Sequence, residues 1–355
     1  MTRYMDGKFA QLEAYTPGEQ PKNMDRLIKL NTNELPFPPS EQVMAVVNRA
    51  ELEKLRLYSD PECKALVDAI ADYCGTEPDH VFPGNGSDEV LAFLFHGFCP
   101  NGAVFPDISY GFYKVFAQMF GVSARQIPLR EDFSIAVEDY AECRETVFIA
   151  NPNAPTGICL TLQQIEQLLM QDPERLVVVD EAYIEFGGES AVSLIESYDN
   201  LVVTRTFSKS HALAGARLGY AVSNGALIAD LNTLRFSFNP YNVNRLSILL
   251  GAAAMRDSTY FAECRQKVIR SRAFITEELR SMGFSVPESR SNFIFAGANP
   301  KLGGAAYYRR LRENGILVRH FDAPRIEDYV RITIGTQEQM EILANTTRKI
   351  LAGEA

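Results

Sequence analysis

The chain has 355 residues, of which 46% are hydrophobic, and its formal net charge at pH 7 is -10. This length exceeds the usual size of one hydrophobic core, so two lobes are expected. The acidic balance, with no run of lysine and arginine, argues against nucleic acid or an anionic membrane as a partner, and apolar runs such as 90–95 and 248–255 are too short to cross a bilayer.

The six cysteines show no Cys-x-x-Cys pair and no regular spacing. With no signal peptide visible at the N-terminus, we expect reduced thiols and a cytoplasmic location. The four histidines lack metal-ligand spacing, so no metal site is expected. Local arginines still allow a small anionic ligand.

Short apolar runs rich in β-branched residues alternate with longer helical patterns. This alternation predicts βαβ units on a mostly parallel sheet flanked by helices, which is an α/β fold. The predicted strands are 103–105, 147–150, 176–179, 201–203 and 220–222. Between them, 162–169 has apolar residues at helical spacing behind Thr161 as the expected N-cap. We expect these elements to form a large domain of residues 41–257.

The pattern changes after residue 257. A helical stretch from about 258 to 280 precedes alternating runs at 292–296 and 331–334. These runs predict an α+β unit distinct from the sheet of the large domain. We therefore expect residues 258–355 to form a small domain.

Gly84–Glu89 is a glycine-rich turn that opens a helical pattern. One interpretation is structural, with Ser87 as the helix cap and Asp88 and Glu89 at the positive end. The other adds a phosphate bound by the free N–H groups of residues 86–88. The two interpretations are compatible. A dinucleotide-dependent dehydrogenase is a weak alternative, because its Gly-x-Gly-x-x-Gly fingerprint requires glycine where Glu89 stands.

Three further motifs follow predicted buried strands. They are Asn-Pro-Asn-Ala-Pro-Thr-Gly at 151–157, Asp-Glu-Ala-Tyr at 180–183, and 208–217, which carries Lys209 between two serines. Because the carboxyl ends of parallel strands build the ligand crevice of such a sheet, the three should meet in one site. A lysine becomes a nucleophile when nearby cations or desolvation leave its amine partly neutral, and Arg217 is a candidate for such a cation.

In this order the motifs resemble those of the fold-type I pyridoxal-phosphate aminotransferases, most closely the histidinol-phosphate aminotransferase family. The resemblance covers nearly the whole chain and extends to Leu30–Phe37, Tyr58–Cys63, Gly84–Glu89 and Val330–Thr336. It implies a large domain with a mostly parallel sheet and a small α+β domain that residues 1–40 join. It also implies pyridoxal 5'-phosphate as cofactor and a homodimer.

The resemblance also implies roles for single residues. Lys209 would attach the cofactor and move the substrate Cα proton, Asp180 would pair with the ring nitrogen, and Tyr183 would hydrogen-bond the ring O3'. The other implied cofactor-binding residues are Gly86, Ser87, Asp88, Tyr110, Asn153, Thr206, Ser208, Arg217 and, reaching the other subunit's site, Tyr58. The implied substrate-binding residues are Tyr15, Asn33, Arg319 and Arg331.

Plainer interpretations stay open from the residues alone. Asp180 fits a helix cap or a salt bridge, and Tyr110 and Tyr183 fit ordinary core positions. Isolated arginines such as Arg319 and Arg331 usually lie on the surface. The resemblance is what favours the functional interpretation at these positions.

The chain departs from the family pattern at three places. Ala154 stands where the family has the asparagine that contacts O3', so Asn153, or less plausibly Asn151, would take that role, or Tyr183 would hold O3' alone. Leu35 replaces a polar or aromatic residue before Pro36, and Ser59 replaces a proline.

The function we expect is amino-group transfer from histidinol phosphate to a 2-oxo acid, with 2-oxoglutarate as the expected acceptor, in histidine biosynthesis. The alternatives are a decarboxylase acting on threonine phosphate, which the same motifs resemble, and an aromatic amino acid aminotransferase. A non-catalytic binding module would lack Lys209 or Asp180, and both are present.

Overall fold

The computed structural model describes residues 2–9, 12–21, 27–297, 299 and 301–354; residues 1, 10, 11 and 22–26 of the predicted arm lie outside these ranges. The helices are α1 (Glu41–Met44), α2 (Arg49–Glu53), α3 (Lys64–Cys74), α4 (Ser87–Gly97), α5 (Phe112–Phe120), α6 (Leu162–Gln171), α7 (Gly225–Phe238), α8 (Arg245–Arg256), α9 (Ser258–Ser281), α10 (Gly304–Glu313) and α11 (Gln337–Ala352). The strands are β1 (Ile28–Lys29), β2 (Val81–Gly84), β3 (Ala103–Pro106), β4 (Ala124–Ile127), β5 (Thr146–Ala150), β6 (Val177–Asp180), β7 (Leu201–Thr206), β8 (Gly219–Ser223), β9 (Phe293–Gly297), β10 (Ile316–Leu317), β11 (Arg319–His320) and β12 (Tyr329–Thr333).

Within the described ranges, a seven-stranded sheet has the order β2-β8-β7-β6-β5-β3-β4. The pairs from β4 through β7 are parallel, whereas β8 runs antiparallel to β7 and β2. Strands β5, β6 and β7 are buried along their whole length, because helices cover both faces of such a sheet and permit continuous apolar runs. The predicted α/β fold and the five predicted strands are confirmed.

The sheet register brings the predicted strand ends together. Ala150 pairs with Asp180, and Asp180 pairs with Thr204 on the next strand. Beyond these pairs, the N–H of Asn151 donates to the Asp180 carbonyl at 2.8 Å. The prediction that these ends converge is confirmed.

The helix N-termini agree with the sequence in one case and differ in another. Thr161 caps α6 as predicted, within a capping box that Gln164 completes. The prediction that Ser87 caps α4 is wrong, because the cap position belongs to Gly86 and Ser87 is the first helical residue. Gly86 has a φ of 86°, which glycine adopts without strain. The hydroxyl of Ser87 is therefore not used as a cap.

The C-terminal part combines a second, smaller sheet with helices. Strands β11, β12 and β9 make an antiparallel sheet, and the long helix α9 packs against α11. The N-terminal arm joins this part, since β1 pairs in parallel with β10 and Leu30 lies in the same apolar cluster as Ile294 and Val330. In the described part of the chain, none of the helices combines the length and apolarity that a membrane crossing needs.

Candidate active site

A cavity of about 410 Å³ opens where β5, β6 and β7 end. The predicted cofactor-binding residues that line it are Ser87, Asp88, Tyr110, Asp180, Tyr183, Thr206, Ser208, Lys209 and Arg217. A second cavity of about 600 Å³ adjoins it and shares Lys209, Tyr110 and Tyr183 with it. All four predicted substrate-binding residues, Tyr15, Asn33, Arg319 and Arg331, line this second cavity.

One end of the smaller cavity is rich in hydrogen-bond donors. Arg217 donates to Asp88 at 3.1 Å and to the Ser208 hydroxyl at 3.4 Å. Gly86 has a φ of 86°, which favours glycine, and a Cβ there would lie 2.8 Å from the end of the Arg217 side chain, so a larger residue would both strain the turn and displace the guanidinium. The Ser87 hydroxyl has no hydrogen-bond partner in the described part of the chain. The prediction that the N–H groups of residues 86–88 are all free is wrong for Gly86, whose N–H donates to the Gly84 carbonyl at 2.9 Å. The N–H groups of Ser87 and Asp88 in the first turn of α4, the Ser87 hydroxyl and the Arg217 guanidinium make an anion site.

Asp180 supplies the acidic group at the base of this cavity. It is 5% exposed, and its two oxygens accept from Tyr113 at 3.0 Å and Thr204 at 3.2 Å. Burial raises the pKa of Asp180 to about 6, while the hydrogen bonds from Tyr113 and Thr204 act in the opposite direction. A carboxylate held in this way attracts a protonated ring nitrogen, which would stabilise its charge.

Lys209 and Tyr183 lie close together where the two cavities meet, and both line each cavity. The Lys209 Nζ lies 5.6 Å from the centre of the Tyr183 ring and donates to the Thr32 carbonyl at 3.3 Å. The Tyr183 hydroxyl accepts from the Asn33 amide at 3.0 Å. Asn33 is fixed in turn by Thr333, whose hydroxyl donates to its side-chain oxygen at 3.0 Å. An amine and a phenol are thus held at the same cavity wall.

Asn153 lies apart from the other predicted cofactor residues. It lines neither cavity, and it is 1% exposed. Its amide nitrogen donates to the Ile108 carbonyl and the Thr156 hydroxyl, and its oxygen accepts from Ser109. The side chain is therefore occupied by the scaffold, and Ala154 is the residue of this loop that faces both cavities.

Two arginines stand side by side in the larger cavity. The antiparallel register of β11 and β12 sets Arg319 opposite Arg331, which places the side chains on one face. In the part of the chain that the structure describes, neither guanidinium has an ion pair, and the buried Nε of Arg331 has no hydrogen-bond partner. Burial and, to a smaller extent, Arg319 lower the pKa of Arg331. Arg319 donates to the Thr16 carbonyl and Arg331 to the Asn31 carbonyl. Two neighbouring guanidiniums without a carboxylate partner favour a bound anion.

Tyr58 is far more exposed than the other predicted cofactor residues. Its side chain is 79% exposed and stacks on Tyr241 with ring centres 4.5 Å apart. It lines neither cavity of the single chain.

Sequence reasoning missed several cavity residues. Gln20, Thr32 and Glu34 line the smaller cavity, and Lys114 and Arg325 line the larger. Thr32 and Glu34 belong to the Leu30–Phe37 motif, so that motif could have pointed to them. The other three stand in no motif, and only the fold brings them to the site.

The geometry matches the groups of pyridoxal phosphate. The donor-rich helix start fits its phosphate, the buried Asp180 fits its ring nitrogen, and Tyr183 fits its phenolic oxygen. Lys209 lies at the same wall as Tyr183, where an aldehyde carbon beside that oxygen would be within reach of the amine.

Comparisons with known proteins agree with this chemistry. A family model described as aminotransferase class I and II matches residues 25–346. A histidinol-phosphate aminotransferase of Acinetobacter baylyi is 48% identical over 351 residues, which cover 98% of this chain and 97% of that protein. A relative of the same name from Brachyspira hyodysenteriae is 44% identical over 354 residues, covering 99% of both chains.

A solved structure shares the fold. The histidinol-phosphate aminotransferase of Sinorhizobium meliloti, solved in complex with pyridoxal-5'-phosphate, superposes with a TM-score of 0.87 at 24% identity and covers 100% of this chain and 99% of its own. The fold-type I assignment from the sequence is therefore confirmed. The chain belongs to the class I and II aminotransferases and, within them, to the histidinol-phosphate aminotransferase family.

Proposed function

We propose that this protein transfers the amino group of histidinol phosphate to a 2-oxo acid, with 2-oxoglutarate as the expected acceptor. The observation that carries the choice of a phosphorylated donor is the pair of unpaired arginines, Arg319 and Arg331, in the larger cavity. A phosphate accepts hydrogen bonds from both guanidiniums, and a carboxylate of the acceptor can use the same pair in the second half of the reaction.

We propose the following contacts for the cofactor. Ser87, Ser208, Arg217 and the N–H groups of Ser87 and Asp88 would hold its phosphate, and Asp88 would orient Arg217 through their ion pair. Gly86 would contribute by letting the turn approach the phosphate, since its own N–H donates to the Gly84 carbonyl. The Tyr110 ring, whose hydroxyl donates to Asp88 at 2.7 Å, would stack on the pyridine face. Thr206, the last residue of β7, would contact the cofactor from the wall of the smaller cavity. With the Asn153 amide occupied, Tyr183 is the contact we propose for O3'.

When bound, pyridoxal phosphate supplies an electron-withdrawing ring that stabilises negative charge at the substrate Cα. The chain provides the acid–base chemistry. Lys209 Nζ removes the Cα proton, and its position between Tyr183 and the Thr32 carbonyl keeps it at the junction of the two cavities. Asp180 keeps the ring nitrogen protonated through a buried charge pair.

Arg319→Met tests the choice of donor. We expect kcat/KM for histidinol phosphate to fall about 100-fold, the scale of a lost charge-assisted contact to phosphate, with a much smaller change for an aromatic amino acid donor. The measurement is a donor panel with 2-oxoglutarate. Arg310→Met, an exposed helix position paired with Glu313, is the matched control and should change neither.

Two results would contradict the proposed donor. An equal loss for phosphorylated and unphosphorylated donors in Arg319→Met would show that Arg319 does not recognise the phosphate. Release of carbon dioxide from threonine phosphate without a 2-oxo acid, as the main activity of the wild-type protein, would replace transamination with decarboxylation.

We also propose a homodimer in which Tyr58 reaches the cofactor phosphate of the other subunit. The support is a group of large apolar side chains that a single chain leaves exposed. Phe238 is 78% exposed, and Tyr58 and Tyr241 stack on each other beside α7 and α8. Exposed aromatic clusters of this kind are typical of subunit interfaces. A cytoplasmic location is proposed on the six cysteines, all of which are free thiols.

Mixed dimers test the contribution of Tyr58. Tyr58→Phe alone should weaken cofactor binding about 10-fold, the scale of a hydrogen bond to a charged group. A mixed dimer of Tyr58→Phe with Lys209→Ala should regain one complete site, with Lys209 from one subunit and Tyr58 from the other. With pyridoxal phosphate kept at a concentration too low to load the Tyr58→Phe parent, activity per mixed dimer should approach half that of the wild type. If mixing gives only the sum of the two parents, Tyr58 does not cross the interface.

A further inference from the structure

A polar cluster lies behind the segment that carries Lys209, and none of the roles above uses it. Its centre is Glu185, whose side chain is 15% exposed. One carboxylate oxygen accepts from the Ser210 hydroxyl and the other from the Tyr73 hydroxyl. The His211 ring lies 3.8 Å from the carboxylate and the Arg265 guanidinium 4.0 Å from it.

The position of Glu185 links two segments of the active site. Glu185 follows Tyr183 by two residues, in a short 3-10 turn at Ile184–Phe186. Ser210 directly follows Lys209. A single carboxylate therefore ties the turn that bears the phenol to the turn that bears the amine.

The other side of Lys209 is also held. The Ser208 N–H donates to the Thr206 hydroxyl at 3.1 Å, and the Ser208 hydroxyl accepts from Arg217. Both chain neighbours of Lys209 are therefore hydrogen-bonded. Ser208 is bonded towards Arg217 at the proposed phosphate site, and Ser210 is bonded to Glu185.

The charge on Glu185 strengthens this link. Burial alone would raise the pKa of Glu185, but protonated His211, Arg205, Arg265 and the Ser210 hydroxyl lower it to about 2. Burial lowers the pKa of His211, so at neutral pH it is the two arginines and the Ser210 hydroxyl that favour the charged carboxylate. The carboxylate is therefore ionised throughout the working pH range. Hydrogen bonds to an ionised acceptor are about twice as strong as neutral ones. Arg205 itself pairs with Glu181 at 3.0 Å, which leaves the hydroxyls of Ser210 and Tyr73 as the donors bonded to Glu185.

We propose that Glu185 is a positioning residue that acts through Ser210 to hold the Lys209 amine at the cavity wall facing Tyr183. This inference rests on the proposed role of Lys209 in aminotransfer. The Tyr73 contact, on α3, supports the fold around the same carboxylate without touching the Lys209 turn. We expect the Ser210 contact, and not the Tyr73 contact, to position Lys209, because Ser210 alone of the two is bonded to Lys209 along the chain.

Ser210→Ala is the test, with attachment of pyridoxal phosphate to the apoenzyme followed by absorbance. We expect attachment to slow about 10-fold and kcat to fall by a similar factor while KM changes less than about 2-fold, as expected for a misplaced reacting group. Ser210→Thr keeps the hydroxyl and should restore most of the rate. Tyr73→Phe is the matched control, and it should lower the thermal midpoint of the apoenzyme while leaving the attachment rate within about 2-fold of wild type.

Two outcomes would overturn the proposal. One is attachment by Ser210→Ala at the wild-type rate. The other is a Tyr73→Phe rate as slow as that of Ser210→Ala, since general loosening would then explain both. Should Ser210→Ala fail to fold, Glu185→Gln replaces it, with slower attachment supporting the proposal and a wild-type rate overturning it. Attachment needs no amino donor, so an error in the proposed substrate would leave this result intact.

Discussion

Lys209→Ala is expected to lower kcat for histidinol phosphate about 10⁴-fold or more, because one amine both attaches the cofactor and moves the Cα proton. Among the described residues, no other lysine lines the smaller cavity. Lys114 lines only the larger one, and the Lys29 amine is bonded to Thr32 and Glu34. No neighbouring amine can therefore take over. Steady-state kinetics and the absorbance band of the attached cofactor measure the two losses separately.

Lys209→Arg separates chemistry from charge. It keeps a cation at the cavity wall, but a guanidinium is not deprotonated in proteins and cannot act as nucleophile or base. We expect the same loss as in Lys209→Ala, whereas an added small amine should restore part of the rate in the alanine variant only, where it has space. Retention of more than about a tenth of wild-type kcat by Lys209→Arg would contradict the assigned role.

The sheet and its strand ends were predictable because their signals are local. Buried parallel strands give continuous apolar runs, as at residues 177–179, and the residues at their ends reach the same edge of the sheet. The Thr161 cap is local as well, since the capping box lies within four residues. For these features the chain pattern and the fold agree.

The cap of α4 and the surroundings of Asn153 were not predictable from local pattern. Gly86 takes the cap position with a φ of 86°, and its turn packs against Gly219 of β8, where a Cβ would clash with the Ser87 backbone. The Asn153 amide is occupied by Ile108 and Ser109, which the adjacent strand end brings to it. These contacts depend on which strands become neighbours, and sequence spacing does not specify that.

The arginine pair shows the same limit in the substrate site. The motifs identify Arg331 and point to Arg319, but their mutual position follows from the register of β11 on β12. A shift of one residue would turn the two side chains to opposite faces. Glu185 is a further case, since its partners Ser210 and Tyr73 come from two other elements. Residue identity was therefore predictable, whereas the pairing that gives each residue its role required the fold.

Asp180→Asn is expected to lower kcat about 10²- to 10³-fold, the range for loss of one preorganised charged group. The amide has nearly the same shape and can keep a hydrogen bond with Tyr113 or Thr204, but it carries no charge to keep the ring nitrogen protonated. Cofactor attachment through Lys209 should persist, so the absorbance band should remain while turnover falls. Loss of the band together with turnover would indicate a disrupted site and contradict this separation.

The same substitution should have the opposite effect on the stability of the apoenzyme. Burial raises the pKa of Asp180 from 3.8 to about 6, so the folded state binds the proton more tightly than the unfolded chain. Relative to its value below about pH 4, the free energy of unfolding therefore falls as the pH rises towards 6, and above that it stays lower by up to about 3 kcal/mol. The Asp180→Asn variant would lack this penalty, because its amide carries no charge at any of these pH values.

Urea unfolding of the two apoenzymes at several pH values measures this difference. Asp180→Asn should be the more stable protein at pH 7.5, and its advantage should disappear below about pH 4, where the aspartic acid is neutral in both states. Glu185, whose pKa is lowered to about 2, adds an opposite slope below pH 4.5, but it is present in both proteins and cancels. An advantage that stays constant with pH would have another origin than the buried carboxylate. In that case the charge that destabilises the folded apoenzyme would not be the Asp180 carboxylate, which is the group that we propose the protonated ring nitrogen of the cofactor stabilises.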